Sequence, residues 1–238
     1  MHYYCSDTAI LLFIRTVHEE ARAKELYPRL SYQRKLSLVR VMNNNAQKVA
    51  QNTQYPTFVF SGAAQSGVTF GEKLANAIRC IFQKGFQNVI AIGNDCLELD
   101  QQHLCLAAKQ LEHSPLVIGP AKDGGTYLIG INRNIFDHEA LLALPWQGKD
   151  LLEAFTYWAE ERGISTFFLS EQEDVDSADV FKALLKRLSY NEFKYQILDA
   201  LGLFAAQPQV QLSPLASSFV TATLFQRGPP SPFFFADI

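Results

Sequence analysis

Apolar positions along the chain fall into short runs that alternate between two periods. Residues 8–15 are an unbroken apolar run closed by Arg15, the pattern of a strand buried on both faces. In residues 30–53 the apolar positions Leu36, Val39, Val41, Met42 and Val49 recur at helical spacing. Residues 57–60 are β-branched and aromatic and are stopped by Ser61-Gly62, which predicts a second strand. A helix follows over 70–84, with Leu74, Ala77, Ile78, Ile81 and Phe82 on one face and Gly85 as its stop. Residues 88–92 predict a strand, Gly93-Asn94-Asp95 a turn, 100–112 a helix with Asp100 as N-cap, and 115–118 the next strand. The strand at 126–131 arrives too soon for a helical crossover. It should be joined to its predecessor by a tight Gly-Gly turn or lie in a mixed part of the sheet. A helix over 149–162 ends at Gly163, a strand occupies 165–169, and helices follow over 177–188 and 191–203.

Strands alternating with helices predict an α/β fold, a doubly wound sheet with helices on both faces, over residues 1–188. Residues 189–238 read as a C-terminal helix and an irregular tail rich in Pro, Ser, Gln and Phe. Its Phe233-Phe234-Phe235 run would need cover, which makes a homodimer one expectation. A chain of 238 residues, 48% hydrophobic and 19% charged, can bury a full core. The formal net charge of −3 and the dispersed cations give no concentrated basic face for nucleic acid. No apolar stretch approaches the roughly 18–20 residues of a membrane span, so a cytoplasmic protein is expected. The four cysteines form no CxxC pair and the five histidines are scattered, which argues against zinc and for reduced thiols. Neither a GxSxG elbow nor a GxxxxGK[ST] phosphate loop is present.

The chemistry-bearing residues cluster in turns. Ligands of open parallel sheets collect beyond the carboxyl ends of the strands. Asp95 follows the 88–92 strand directly, and Asp123 follows the 115–118 strand by a few residues. If those strands are neighbours, as a short βαβ unit implies, the two carboxylates share one edge and one solvent-reachable pocket. A hard divalent ion, Mg²⁺ or Mn²⁺, would relieve their repulsion. A third acidic cluster, Glu173-Asp174-Val175-Asp176, precedes the 177–188 helix, where Asp176 or Ser177 also suits an N-cap. Gly124-Gly125 permits a close backbone approach, and Gly71-Glu72-Lys73 opens a helix whose free N–H groups favour an anion. Cys96 has no histidine near it in sequence, which speaks against a catalytic thiol.

The segment Ile118-Gly119-Pro120-Ala121-Lys122-Asp123-Gly124-Gly125-Thr126-Tyr127-Leu128-Ile129-Gly130 resembles the GPAxDGGYxLIG signature of a bacterial glycosyltransferase-like family, the radical-SAM/selenodomain-associated transferases. Ile92 to Cys96 is similar to that family's IGSDCP, and Gln65 to Leu74 to its QGxGDLGERL. Leu144-Pro145-Trp146 resembles IPW and Asp174 to Ser177 resembles DVDT. The resemblance spans residues 8–188. It implies a GT-A fold that binds a nucleotide-diphospho-sugar with a divalent metal and transfers the sugar to an unidentified acceptor. Carried over, Asp95 stands at a metal or diphosphate position beside Asn94. Asp123, Gly124 and Gly125 line the donor-sugar and acceptor side, with Asp123 catalytic. Asp176 is a second metal or acceptor contact, catalytic alongside Asp123, and Arg15, Lys24, Gly71 and Lys73 belong to the phosphate-binding set.

One segment departs from the pattern. The family's first strand runs into FAKxPxPGxVKTRL, whose cations and glycine grip phosphates. Here the stretch is Phe13 to Leu26, in which Arg15 replaces the first lysine, Lys24 approximates the second, and the prolines and glycine are gone. Glu19-Glu20 would repel a diphosphate at a few Å. Two other expectations therefore stand beside glycosyl transfer: nucleotidyl transfer of the guanylyltransferase type, and a binding or scaffold protein whose phosphate loop has decayed.

Overall fold

The computed structural model describes residues 6–24, 30–175 and 177–203, all of them within one compact unit, Met1–Phe204. Its centre is a six-stranded sheet of β1 (Thr8–Phe13), β2 (Thr57–Phe60), β3 (Asn88–Ile92), β4 (Leu116–Pro120), β5 (Thr126–Asn132) and β6 (Thr166–Phe168). The order across the sheet is β2-β1-β3-β5-β4-β6. β5 is antiparallel to both its neighbours, and all other pairings are parallel.

Alternation along the central strands divides their side chains between two layers. Ala9, Leu11, Phe13, Val89, Ala91, Ile118 and Ile129 pack with α3 (Phe70–Gln83), α5 (His138–Ala143) and α6 (Leu151–Glu161). Ile10, Leu12, Ile90, Ile92, Val117 and Leu128 pack with α2 (Tyr32–Asn52) and α4 (Gln101–Gln110). β1, β3 and β4 are buried along their whole lengths, which is why their sequences are continuous apolar runs. A third cluster joins Leu38 and Met42 of α2 to Phe181 and Leu184 of α7 (Ala178–Arg187) and to Ile197 and Leu201 of α8 (Glu192–Leu201). The helix expected in a C-terminal extension is thus packed on α2 as part of this unit. The Pro- and Phe-rich tail lies outside the described residues.

The three-layer α/β/α architecture with a mostly parallel, partly mixed sheet is the one the sequence predicts. Three features differ from expectation. β3 and β4 are not neighbours, because β5 lies between them. The tight turn at residues 121–125, closed by Gly124 N–H to Ala121 O at 3.0 Å and Ala121 N–H to Gly125 O at 3.0 Å, folds β5 straight back along β4. The returning strand then fills the slot next to β3. A short helix, α1 (Val17–Ala23), stands where the family pattern has its phosphate-gripping loop, and the residue pattern does not announce α5.

Two glycines of the signature segment are explained by packing. Gly124 has φ +90°, and a Cβ there would run into the carbonyl oxygen of Lys149. Its own carbonyl accepts from Leu152 N–H at 3.0 Å, so this turn anchors the start of α6. At Gly119 a Cβ would sit 2.6 Å from the Tyr127 ring, which crosses the β4–β5 pair at that point.

Candidate functional site

Five parallel strands end at one edge of the sheet, and the antiparallel β5 begins there. The segments leaving β1, β3 and β6 and the β4–β5 turn therefore all lie along this edge. Because β1 and β3 are adjacent, the segment after β1 can reach the turn after β3. What crosses is a lysine. Thr16 caps α1 in a reciprocal box: its Oγ1 accepts from Glu19 N–H at 3.3 Å, and Glu19 Oε2 accepts from Thr16 N–H at 2.9 Å and from its hydroxyl at 2.6 Å. Those hydrogen bonds, the hydroxyl first, hold the Glu19 carboxyl below its usual range. The helix lies on α2 through Val17, Ala21, Leu36 and Val39, and ends at Lys24.

The Lys24 ammonium donates to Asp95 Oδ1 and lies 3.3 Å from both Glu20 Oε1 and the Val175 carbonyl oxygen. Three acceptors thus face its three N–H donors. The Lys24 side chain is 13% exposed, Glu20 5% and Asp95 37%, so the pair is sunk at its glutamate end and open at its aspartate end. Arg15 adds a second cation to Glu20 at 3.4 Å. Burial alone would lower the lysine pKa, but Asp95 and Glu20 outweigh it and hold the value above normal. The repulsion expected of Glu19-Glu20 is thereby cancelled locally: one glutamate is tied into the cap and the other sits between two cations.

The segment after β6 closes over this group. Leu169 N–H bonds to Ile118 O at 2.9 Å, Gln172 N–H to Pro120 O at 3.0 Å, and Lys122 N–H to Gln172 O at 3.0 Å. It then reaches the β3 turn, where Val175 N–H bonds to Asp95 O at 3.1 Å and Cys96 bridges Asp174. Arg187 of α7 pins it from outside through Glu173 at 2.7 Å and Glu98 at 3.1 Å, and that hydrogen bond to Arg187 lowers the Glu173 pKa.

The remaining sequence-predicted residues take separate places. Asp123 lies on the same edge as Asp95 but two strands away, a spacing of roughly 10 Å from strand geometry. It is exposed, and its Oδ1 accepts from Gly125 N–H at 2.9 Å. Asn94 is buried and donates to Asn43 of α2 at 2.5 Å. Gly71 is buried where a Cβ would collide with the Trp146 indole. The N-terminus of α3 is met by Thr69, which accepts from Glu72 N–H at 3.1 Å. Lys73 is half-buried and near enough to Glu19 to help lower its pKa. Asp176 lies outside the described residues, and the N-cap of α7 is Ser177. Sequence reasoning missed Glu20 as a partner and the Val175 carbonyl altogether. The Thr16-x-x-Glu19 spacing was the signal for α1, whereas no local pattern announces a carbonyl 151 residues from the lysine it meets.

The expected divalent metal can be tested against these side chains. Among the described residues no group of three or more His, Cys, Asp or Glu side chains converges to hold an ion. The Asp95 carboxylate, the first expected ligand, is engaged by an ammonium. Asp176, the second expected ligand, lies outside the described residues, and with Lys24 seated on Asp95 the described side chains do not fit a resident divalent ion at that aspartate. Nor is Cys96, the cysteine described at this edge, a reactive thiol. Burial first, then the Asp174 carboxylate, push Cys96 up to about 12. Cys96 is accordingly expected to resist a thiol reagent at pH 8 in the native protein and to react on unfolding. Mass-spectrometric mapping of the labelled cysteines checks this; ready native labelling at Cys96 would contradict it. A shallow surface cavity of about 570 Å³, lined by Asp137, His138, Trp158, Arg162 and others, lies towards the other edge of the sheet. It collects none of the sequence-predicted residues.

Comparison with known proteins places the chain. The family described as "Uncharacterized protein conserved in bacteria (DUF2064)" matches residues 29–147, half of the sequence. The chain belongs to the DUF2064 family. Among curated proteins none matches it. Among solved structures, a protein of Desulfovibrio desulfuricans G20, provisionally named a nucleotide-diphospho-sugar transferase, is 20% identical with a TM-score of 0.71, covering 83% of this chain and 96% of its own. Rv0371c of Mycobacterium tuberculosis H37Rv is 12% identical over 77% of this chain and 100% of its own, with a TM-score of 0.46, and has also been solved as a complex with manganese. A 4-diphosphocytidyl-2C-methyl-D-erythritol synthase of Anaerococcus prevotii DSM 20548 is 10% identical over 76% of this chain and 100% of its own, with a TM-score of 0.42. The first likeness, at a TM-score of 0.71, establishes the GT-A-type fold of this DUF2064 chain. No helix among its described residues is long and apolar enough to cross a membrane.

Proposed function

We propose that this DUF2064 protein is a glycosyltransferase that takes a nucleotide-diphospho-sugar at the carboxyl edge of its sheet. The observation that carries the reading is the convergence of Arg15, Glu20, Lys24 and Asp95 at that edge, on a fold shared with a protein given that name. In the reaction the acceptor hydroxyl oxygen attacks the anomeric carbon, and the carbon–oxygen bond to the diphosphate breaks. The nucleoside diphosphate leaves with the bonding electrons, and the hydroxyl proton passes to a carboxylate. Asp123 supplies that carboxylate: it is exposed, and Gly125 N–H fixes one oxygen, orienting the other. Arg15 and Lys73, with part of their side chains in solvent, supply positive charge for the leaving diphosphate.

A thermal-shift panel of nucleoside diphosphate-sugars and nucleoside triphosphates tests the proposal. A diphosphate-sugar should raise the melting temperature, and Asp123→Asn should keep that shift while lowering turnover by about 10²-fold or more. Stronger stabilisation by GTP or CTP would instead assign nucleotidyl transfer. No shift with any nucleotide would leave a binding or scaffold protein.

A further inference from the structure

We propose that Lys24 is the built-in cation of this edge: its ammonium holds the place between Asp95 and Glu20 that a divalent ion would take. The edge then binds its ligand without metal. The first statement stands on the geometry alone, and the second rests on the transferase reading above.

Three observations support it. The acceptors around the ammonium are two carboxylates and a backbone carbonyl, the oxygen types that a hard cation takes. They arrive from three separate segments, after β1, after β3 and after β6. The contact thus ties the segment after β1 to the segments after β3 and β6, which already meet through Val175 N–H to Asp95 O and the Cys96–Asp174 bridge, the structural task that a bound ion performs. Charge is also matched within the group around the ammonium. Two carboxylates face one ammonium and one guanidinium, so the four groups sum to zero. An incoming ion would meet an ammonium already seated at its ligands, a repulsion worth several-fold to many-fold in affinity at a few Å. Being covalently attached, the lysine cannot be removed by a chelator, and it reaches its place because α1 is capped, packed on α2 and ended at residue 24.

The test uses the full chain, stripped of metal, and Mn²⁺ alone followed by electron paramagnetic resonance. The wild type should show no stoichiometric Mn²⁺ site, and its melting temperature should be the same with Mn²⁺ as with EDTA. Lys24→Met should gain a site for one Mn²⁺, at least about tenfold tighter than any wild-type binding, and adding Asp95→Asn should remove it. Lys24→Gln keeps a hydrogen-bond donor and serves the same purpose if Lys24→Met does not fold. A single Mn²⁺ site in the wild type that Asp95→Asn abolishes would overturn the proposal, as would a folded Lys24 variant that stays silent to Mn²⁺. If a diphosphate-sugar shifts the melting temperature, the shift should persist in EDTA. Silence towards every nucleotide would count against the transferase reading and leave the metal result to decide the lysine's role.

Discussion

Gly124→Ala is expected to destabilise the protein by about 3 kcal/mol and to loosen the carboxyl edge. Two costs combine. At φ +90° an L side chain is strained by about 1–3 kcal/mol. The added methyl would also collide with the Lys149 carbonyl oxygen, and relieving that overlap costs a further 1–3 kcal/mol or so as the backbone shifts. The shift cannot stay local. Gly124 O accepts from Leu152 N–H at 3.0 Å, and Asp123 is its neighbour, so displacing the turn moves the exposed carboxylate and the start of α6 together. Urea denaturation gives the stability change. Gly125→Ala is the control, because the nearest atoms a Cβ there would meet are those of the Asp123 carboxylate, at 3.1 Å and beyond, and it should cost less. Equal losses at the two positions would show that the Lys149 contact is not what constrains the turn.

The second large effect is expected at Lys24. Removing the ammonium with Lys24→Met leaves Glu20, with a side chain only 5% exposed, with Arg15 as its remaining cation among the described residues. Breaking a buried ion pair costs about 3–5 kcal/mol, but solvent reaches Asp95, so about 2–3 kcal/mol is expected here. The pH dependence follows from the direction of the lysine shift. A folded-state pKa above the ordinary 10.5 means that the contribution is fully present below that value and is lost as pH rises through the folded value. The stability gap between wild type and Lys24→Met should therefore hold from neutral pH into mild alkali and narrow only above about pH 10.5. A gap that closes on the way to pH 9 would show that the ammonium contributes little. Asp95→Asn should lose less than Lys24→Met, because it leaves the ammonium with Glu20 and the Val175 carbonyl.

These two positions differ in how far they could be read from residues alone. Gly124 stands in a motif whose Gly-Gly pair announces a tight turn, and a tight turn is what forms. Lys24 could be matched to a phosphate-binding position by alignment with a family pattern, but its pairing with Asp95 and Glu20 could not be read there. The Glu19-Glu20 pair gives the sharpest contrast. As a string it is two negative charges beside a presumed diphosphate. Folded, Glu19 closes a helix cap with Thr16, and Glu20 lies beneath Lys24 and Arg15. Asn94 and Gly71 likewise occupy motif positions but are turned into packing against Asn43 and Trp146.

By itself the chain's residue pattern determined the fold class and the elements other than α1 and α5. Short continuous apolar runs bounded by turn residues suit strands buried on both faces, and helical periodicity with caps and glycine stops marks the layers that cover them. It also placed Asp95 and Asp123 beyond strand ends, since a turn residue directly after a parallel strand has nowhere else to go. Strand order was decided only in three dimensions: a hairpin too short to cross over put β5 between β3 and β4 and set the two aspartates two strands apart. So was the pairing of Lys24 with Asp95, Glu20 and the Val175 carbonyl. Those partners are separated by up to 151 residues, and an ion pair depends on distance in space and exclusion of water, neither of which is written in local sequence.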